Sequence, residues 1–452
     1  ILCVSSSISA AKMKLTGFLF FCVLLLQGRI SCLAVNNGHS FAETNRAAYV
    51  TGPVVKKQPT DVIHDEQSGK NFVELECIAD GNPEVTYTWF KTMNGSTVKI
   101  DPMEEPRYTL DKGKLTILVP KKSRDGGEYQ CRIENSAGSI LSNAVSLSFL
   151  YVEDFPKANR APVTARVHKG ASIACKAPKH HPEVRYFWAK KDNGTNFVKP
   201  DQKPHTFISN DGNLYFSSVT KEDEGDYHCL VHATAGVTGV VKASMPIRLN
   251  VRPSFSSKRG AWIARGFPKV FPYPPERGDD VRIECFATGY YEPGNLTYEW
   301  SKPDARMPSN AKITENGRVL NIPNVQDSDS GTYDCKISKV NGRYDEGSEL
   351  MVVLGIPQFR ITPEDQSVSL GDEISLRCAA QGNPYVQYKW LKNSQVLTAD
   401  SLSPEDRERF TISGMRLTIK DVNEKDAGMY QCAASNALGT RYSSVQIRVY
   451  SA

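Results

Sequence analysis

Cysteines are the residues in this 452-residue chain best able to make and break bonds, and three of the eleven, Cys3, Cys22 and Cys32, fall before residue 35. The other eight form pairs: Cys77 with Cys131, Cys175 with Cys229, Cys285 with Cys335 and Cys378 with Cys432, separated by 54, 54, 50 and 54 residues. A reactive thiol is usually built once. Four evenly spaced pairs point to structural disulfides, which an even count in a secreted chain implies. No P-loop, GxSxG, HExxH or protein-kinase set occurs, so neither an enzyme nor a cofactor is expected. His180-His181 lacks the Cys or carboxylate spacing of a metal site, and Asp327-Ser328-Asp329-Ser330 departs from a metal-binding DxSxS at its third position, so no metal is expected. Arg277-Gly278-Asp279 is the tripeptide that integrins read. A turn before a strand explains it better, since Gly278 and Gly371 both stand seven residues before a first cysteine.

The elements that must position these cysteines are legible around them. The second cysteine of each pair closes the same motif: DGGEYQC (125–131), DEGDYHC (223–229), DSGTYDC (329–335) and DAGMYQC (426–432). Alternate side chains of a strand share a face, so tyrosine and cysteine point inward together. Each pair also encloses one tryptophan, Trp89, Trp188, Trp300 or Trp390, placed 12, 13, 15 and 12 residues after the first cysteine. Cys…Trp…Cys with a tyrosine two before the second cysteine is the signature of the immunoglobulin sandwich, in which the disulfide joins two sheets and the indole packs on it. Leu115 and Ile117, Leu214 and Phe216, Leu320 and Ile322, and Leu417 and Ile419 read as a half-buried strand before each corner. Gly138, Gly236, Gly342 and Gly439, each seven residues after the second cysteine, read as hairpin turns. The fold class is therefore all-β, with four tandem I-set-like immunoglobulin sandwiches.

Each corner aspartate calls for a cation, and 17 or 18 residues upstream stand Arg107, His205, Lys312 and Arg409. Four ion pairs are expected, to Asp125, Asp223, Asp329 and Asp426. The histidine pair would be favoured at low pH and lost as pH rises through histidine's range.

Residues 1–34 read as upstream residues and a signal peptide, because Met13-Lys14 precedes a short apolar run that is about half a bilayer span. Residues 35–49 read as a flexible N-terminus. The domains follow at 50–149, 150–251, 269–354 and 355–450, with 252–268 as a hinge linker. This middle junction is about ten residues longer than the others, a reach of about 30 Å, so the chain can double back and lay the first domain on the fourth and the second on the third. Trp262, the tryptophan outside the pairs, reads either as a plug for that hinge or as an exposed anchor for a partner.

Surface candidates are three sequons, Asn94, Asn193 and Asn295, and a basic cluster in the second domain that includes Lys176, Lys179, Lys190 and Lys191. The cluster reads as a solvated face or as a site for a sulfated glycan or an acidic receptor face. A net charge of +5 is too weak a bias to suggest nucleic acid.

From GPVVKKQPTDVI (52–63) to the end, the sequence resembles the contactin family of neural cell adhesion proteins. YVEDFP (151–156), DGNLYF (211–216) and GMYQCAASNALGTRYSS (428–444) carry the resemblance. It implies a four-domain horseshoe, followed in the family by two more immunoglobulin domains, four fibronectin type III domains and a lipid anchor, so the chain is expected to be a fragment. It also implies cell-surface adhesion and axon guidance, with immunoglobulin-family or receptor phosphatase partners that bind homophilically or heterophilically. The alternatives are a secreted four-domain protein similar to insect hemolin that binds microbial surfaces, and the ectodomain of an immunoglobulin-type receptor.

Overall fold

The computed structural model describes residues 14–15, 18–25, 29–35, 50–191, 195–254, 260–290, 296–339 and 344–450. Residues 1–49 form a unit by themselves, in which strands Lys14–Leu15, Phe18–Leu25 and Arg29–Val35 pair antiparallel, so the apolar run expected as a processing signal is here one strand of a hairpin. The side chains of that unit, the segment 36–49, and the expected features at Asn193, Asn295 and Gly342 lie outside the described residues.

The second unit, from Val50 onward, is four β-sandwiches. In the first, Gly127–Asn135 is the central strand of one sheet, between Thr86–Met93 and the pair Gly138–Leu141 and Val145–Phe149. Phe72–Glu76, Lys114–Leu118 and Tyr108–Asp111 make the facing sheet. The same plan recurs around Gly225–Ala235, Gly331–Lys339 and Gly428–Asn436. Leu115, Leu214, Leu320 and Leu417 are fully buried in their strands. Gly138, Gly236 and Gly439 all have positive φ. Gly138 has a second reason to lack a Cβ, which would stand 2.1 Å from Asn393 Oδ1 of the fourth domain. Part of the stretch expected as hinge linker, Gly260–Ile263, is instead a strand of the third sandwich: it pairs with Ala287–Tyr290 and buries Ala261.

Three disulfides, Cys175–Cys229, Cys285–Cys335 and Cys378–Cys432, join the sheets of domains 2, 3 and 4. The first domain differs. Cys77 and Cys131, expected as the fourth bond, are two buried free thiols in this structure. They sit where the bonded pairs sit elsewhere, and burial, then the neighbouring Cys77, pushes the Cys131 thiol far up. Such thiols stay protonated and weakly nucleophilic.

Each tryptophan is fixed by one hydrogen bond of the same kind. The indole Nε1 of Trp89, Trp188, Trp300 and Trp390 donates to the carbonyls of Gly113, Gly212, Gly317 and Gly414 at 3.2, 3.0, 2.8 and 3.1 Å. Trp300 alone of the four is only partly buried, and it packs against both of the clusters into which the third core is split. Each corner tyrosine closes a second repeated bond: Tyr129, Tyr227, Tyr333 and Tyr430 donate to the carbonyls of Asp125, Asp223, Asp329 and Asp426 at 2.7 to 2.8 Å.

A third repeat shows its role in the structure. Two residues after each tryptophan stands a lysine, Lys91, Lys190, Lys302 or Lys392, whose ammonium bonds the open carbonyls of the corner turn, at Arg124, Glu222, Ser328 with Asp329, and Lys425 respectively. Each ammonium also lies 5.2 to 6.0 Å from the corner tyrosine ring, in reach of a cation–π attraction. Lys190 is therefore a buried structural residue, and this corrects its place in the expected surface patch.

The ion pairs form in three corners: Arg107 with Asp125 at 2.7 Å, His205 with Asp223 at 2.9 Å and Arg409 with Asp426 at 2.8 Å. The fourth does not. Lys312 is exposed and pairs in register with Asn321, two positions past the corner. By register Asn310 holds the place of Arg409, and it donates to the Pro323 carbonyl as Arg409 donates to that of Lys420. The loop is longer here, so counting back from the aspartate lands on the wrong residue.

Burial alone would raise the Asp223 carboxyl, but hydrogen bonds from His205, the Thr220 backbone and the Thr220 hydroxyl outweigh it and hold the group below the usual carboxylate range. A depressed carboxyl stabilises above its unfolded value of about 3.9 and loses that contribution as pH falls through the folded value. His205→Ala should move acid unfolding of domain 2 to higher pH while leaving domains 1 and 4 in place, as followed by hydrogen exchange of their core strands. A domain 2 transition at the wild-type pH would refute the pairing's role.

Candidate functional site

The chain turns back between domains 2 and 3, so domain 1 lies on domain 4 and domain 2 on domain 3, as the longer middle junction implies. At the outer seam, Gln431 Oε1 accepts from Leu141 N at 2.8 Å while its Nε2 donates to Leu141 O at 3.0 Å. Gln446 repeats the arrangement with Gly52 N at 3.0 Å and Val50 O at 3.2 Å. Each glutamine thus completes a domain 1 strand as a neighbouring backbone would. Between them Met429, 2% exposed, belongs to the first domain's core cluster, and a Cβ on Gly52 would stand 2.1 Å from its sulfur.

The inner seam is aromatic and charged. Phe207 of domain 2 stacks on Phe286 of domain 3 at 5.4 Å, with Phe267 and Tyr215 packed around them. Lys269 pairs with Asp211 at 2.5 Å, and Arg318 donates to the carbonyls of Thr206 and Pro204 at 3.0 and 2.8 Å. Glu284 is fully buried and accepts from Ser209 Oγ, Asn210 N and Arg282 Nε at 2.5, 2.9 and 2.7 Å. Burial pushes its carboxyl up, against the pull of Arg282 and the three donors.

With these seams closed, domain 2 presents an outward face that carries exposed apolar side chains. Its register places Phe187 beside Leu230 and Ala243, Ala189 between Phe197 and His228, and Val241 beside His232 and Arg185. Phe197 and Val241 are each 56% exposed, Phe187 is 42% exposed, and Val237 at the hairpin tip is fully exposed. Lys191 and Arg185, both exposed, border the face. Of the basic cluster, Lys176, Lys179 and Lys191 are exposed. His180 bonds the Pro178 carbonyl and His181 the Ser148 hydroxyl, so the two imidazoles face different partners.

Arg277 is not presented to an integrin-like partner. Its guanidinium holds Asp327 by two bonds of 2.8 and 2.6 Å and reaches the Ile356 carbonyl at 3.2 Å, tying domain 3 to the start of domain 4. Asp279 accepts from Glu276 N at 2.8 Å, which makes the tripeptide a turn within the fold. Asn94 lies exposed at φ 53°, followed by Gly95 at φ 78°, at the tip of the hairpin Thr86–Met93 and Ser96–Lys99. Trp262 is half exposed on its strand, opposite Thr288, and plugs no hinge.

These sandwiches define the class, and the chain belongs to the immunoglobulin-domain family: models described as immunoglobulin domain match residues 53–135, 161–241, 268–338 and 356–436. Within that family it is similar to contactins. It is 36% identical over 407 residues to the contactin of Drosophila melanogaster, covering 88% of this chain and 28% of that one. The solved structure of the insect immune protein hemolin matches with a TM-score of 0.65 at 25% identity, over 88% of this chain and 100% of hemolin. The first four immunoglobulin domains of Sidekick-1 match with a TM-score of 0.65 at 22% identity, over 89% of this chain and 99% of that one. The chain thus spans less than a third of the fly contactin's length. Among the described residues no helix is long and apolar enough to cross a membrane.

Proposed function

We propose that this chain is the recognition part of an extracellular adhesion protein that binds other cell-surface proteins through sandwich faces. The observation that carries the reading is the outward face of domain 2, where Phe187, Phe197 and Val241 stay exposed after both seams have closed. Apolar groups rimmed by cations suit a protein partner with an acidic border. Single contacts of this size are weak, and many copies across two membranes make them effective through avidity. The likeness to contactins supports the reading. Beads coated with the chain should cluster with one another or with cells bearing a partner, and Phe187→Glu with Val241→Glu should abolish clustering while circular dichroism stays unchanged. Undiminished clustering would exclude this face. Mixing differently labelled beads separates binding to self from binding to another protein.

Immune recognition is the second reading, favoured by the likeness to hemolin, whose structure's description links its domain arrangement to homophilic adhesion. Binding of the chain to bacterial surfaces without bead clustering would select it. We further propose that Asn94 carries a glycan and that Cys77 and Cys131 join when the chain matures in an oxidising compartment. Peptide mapping of the secreted protein should find both modifications, and an unmodified Asn94 or an alkylated Cys131 would refute the corresponding one.

A further inference from the structure

The four corners repeat one design, so a departure at one can be measured against its sisters. In domains 1 and 4 the residues facing Ile117 and Ile419 are rings, Tyr108 and Phe410, each preceded by an arginine paired with the corner aspartate. The Arg107 guanidinium lies 4.1 Å from the Tyr108 ring and closes the corner. Domain 2 has the smaller Thr206 and His205 at those places, with Thr206 facing Phe216. Beside them opens a cavity of about 480 Å³, with Phe197, Val198, Phe216 and Tyr227 among its walls and Lys199 and Lys203 on its rim. That volume falls within the range of small-molecule sites, about 300 to 1,000 Å³.

We propose that this cavity binds an amphipathic organic anion, a carboxylate or sulfonate carried on an aryl or alkyl body. The walls supply rings, and the half-exposed Phe197 gives them an open side. Lys199 and Lys203 are exposed, and among the described residues neither makes an ion pair, so both are available to an incoming anion. The acid among the described lining residues, Asp223, is 1% exposed and engaged by His205 and Thr220. The loop is also held in place before any ligand arrives. Thr206 Oγ1 donates to the Lys203 carbonyl at 2.7 Å, and Arg318 of domain 3 grips the carbonyls of Pro204 and Thr206. A preformed site of this kind loses little entropy on binding. The chemistry selects for both halves of the ligand: a bare inorganic anion meets only two solvated lysines, and a neutral hydrocarbon meets only the rings.

Titration of the intact chain with anilinonaphthalene sulfonate, followed by fluorescence, should show one saturable site that decanoate displaces and inorganic sulfate at the same concentration does not. Lys199→Glu with Lys203→Glu should weaken binding tenfold or more. Thr206→Tyr, which restores the ring of domain 1, should abolish it. If Thr206→Tyr unfolds domain 2, Phe197→Glu decides, because it places a carboxylate on the exposed wall of the cavity, and it too should abolish binding. Unchanged affinity in the lysine variants, retained binding in the filled corner or in Phe197→Glu, displacement by inorganic sulfate, or no saturable binding would each overturn the proposal.

Discussion

Gln431→Ala combined with Gln446→Ala should open the horseshoe while leaving all four sandwiches folded. The two side chains make four hydrogen bonds to the backbone of Val50, Gly52 and Leu141. In the closed form their loss orphans buried N–H and C=O groups at about 1–3 kcal/mol each, and opening relieves that penalty because water reaches them. Measured against the open form, each bond is worth about 1 kcal/mol, so together they shift the equilibrium by about 4 kcal/mol, or roughly a thousandfold. Domains that remain joined through the inner seam should then splay, and small-angle scattering should report a larger radius of gyration. Met429→Ala added to the pair should open the seam further, since the thioether fills the space left by Gly52 and its removal leaves a cavity. Gln67→Ala, an exposed glutamine away from the seam, should change nothing. A compact double variant would show that the remaining contacts, the packing of Met429 and the Ser139–Ser394 hydrogen bond, hold domain 1 on domain 4.

What the sequence disclosed and what it hid follow one physical division. Contacts set by alternation along a strand were legible: tyrosine and cysteine two apart share a face, and the leucine strand before each corner is buried as its pattern requires. The doubling back was legible too, because chain length limits reach. Counting residues failed at Lys312, because the ion pair depends on register across a sheet and the domain 3 loop is longer. The lysine two residues after each tryptophan is present four times in the sequence, and alternation places it on the tryptophan's face, but a charge is not expected to point inward, and Lys190 alone of the four enters the expected surface cluster. Only the position of the corner carbonyls shows that Lys190 turns inward. The seams were hidden for a different reason. Gln431 meets Leu141 across 290 residues, and Gln446 meets Gly52 across 394. Glutamine reads as an ordinary surface residue until the strand it completes is seen beside it.

Asp→Ala at each of the four corners should divide the domains into three that suffer and one that does not. Asp125, Asp223 and Asp426 are buried and each pairs with a basic side chain, Arg107, His205 or Arg409, within 2.9 Å. Each also accepts from a backbone N–H, of Lys121, Thr220 or Asn423, at 2.8 to 2.9 Å. Removing the carboxylate leaves the basic side chain without its partner and the turn without its cap, a loss of about 3–5 kcal/mol for a buried pair. That is a large share of the 5–15 kcal/mol that holds a domain together. Asp329 caps Gln326 N at 2.8 Å in the same way, but it is not buried and Lys312 does not pair with it. Its loss should cost only about 1 kcal/mol, the worth of a turn cap. Hydrogen exchange read strand by strand in the intact chain should show faster opening in domains 1, 2 and 4 for their own variants, and near-native protection in domain 3 for Asp329→Ala. Equal losses at all four corners would mean that the carboxylate's cap on the turn N–H, common to all of them, carries the stability and the ion pairs do not.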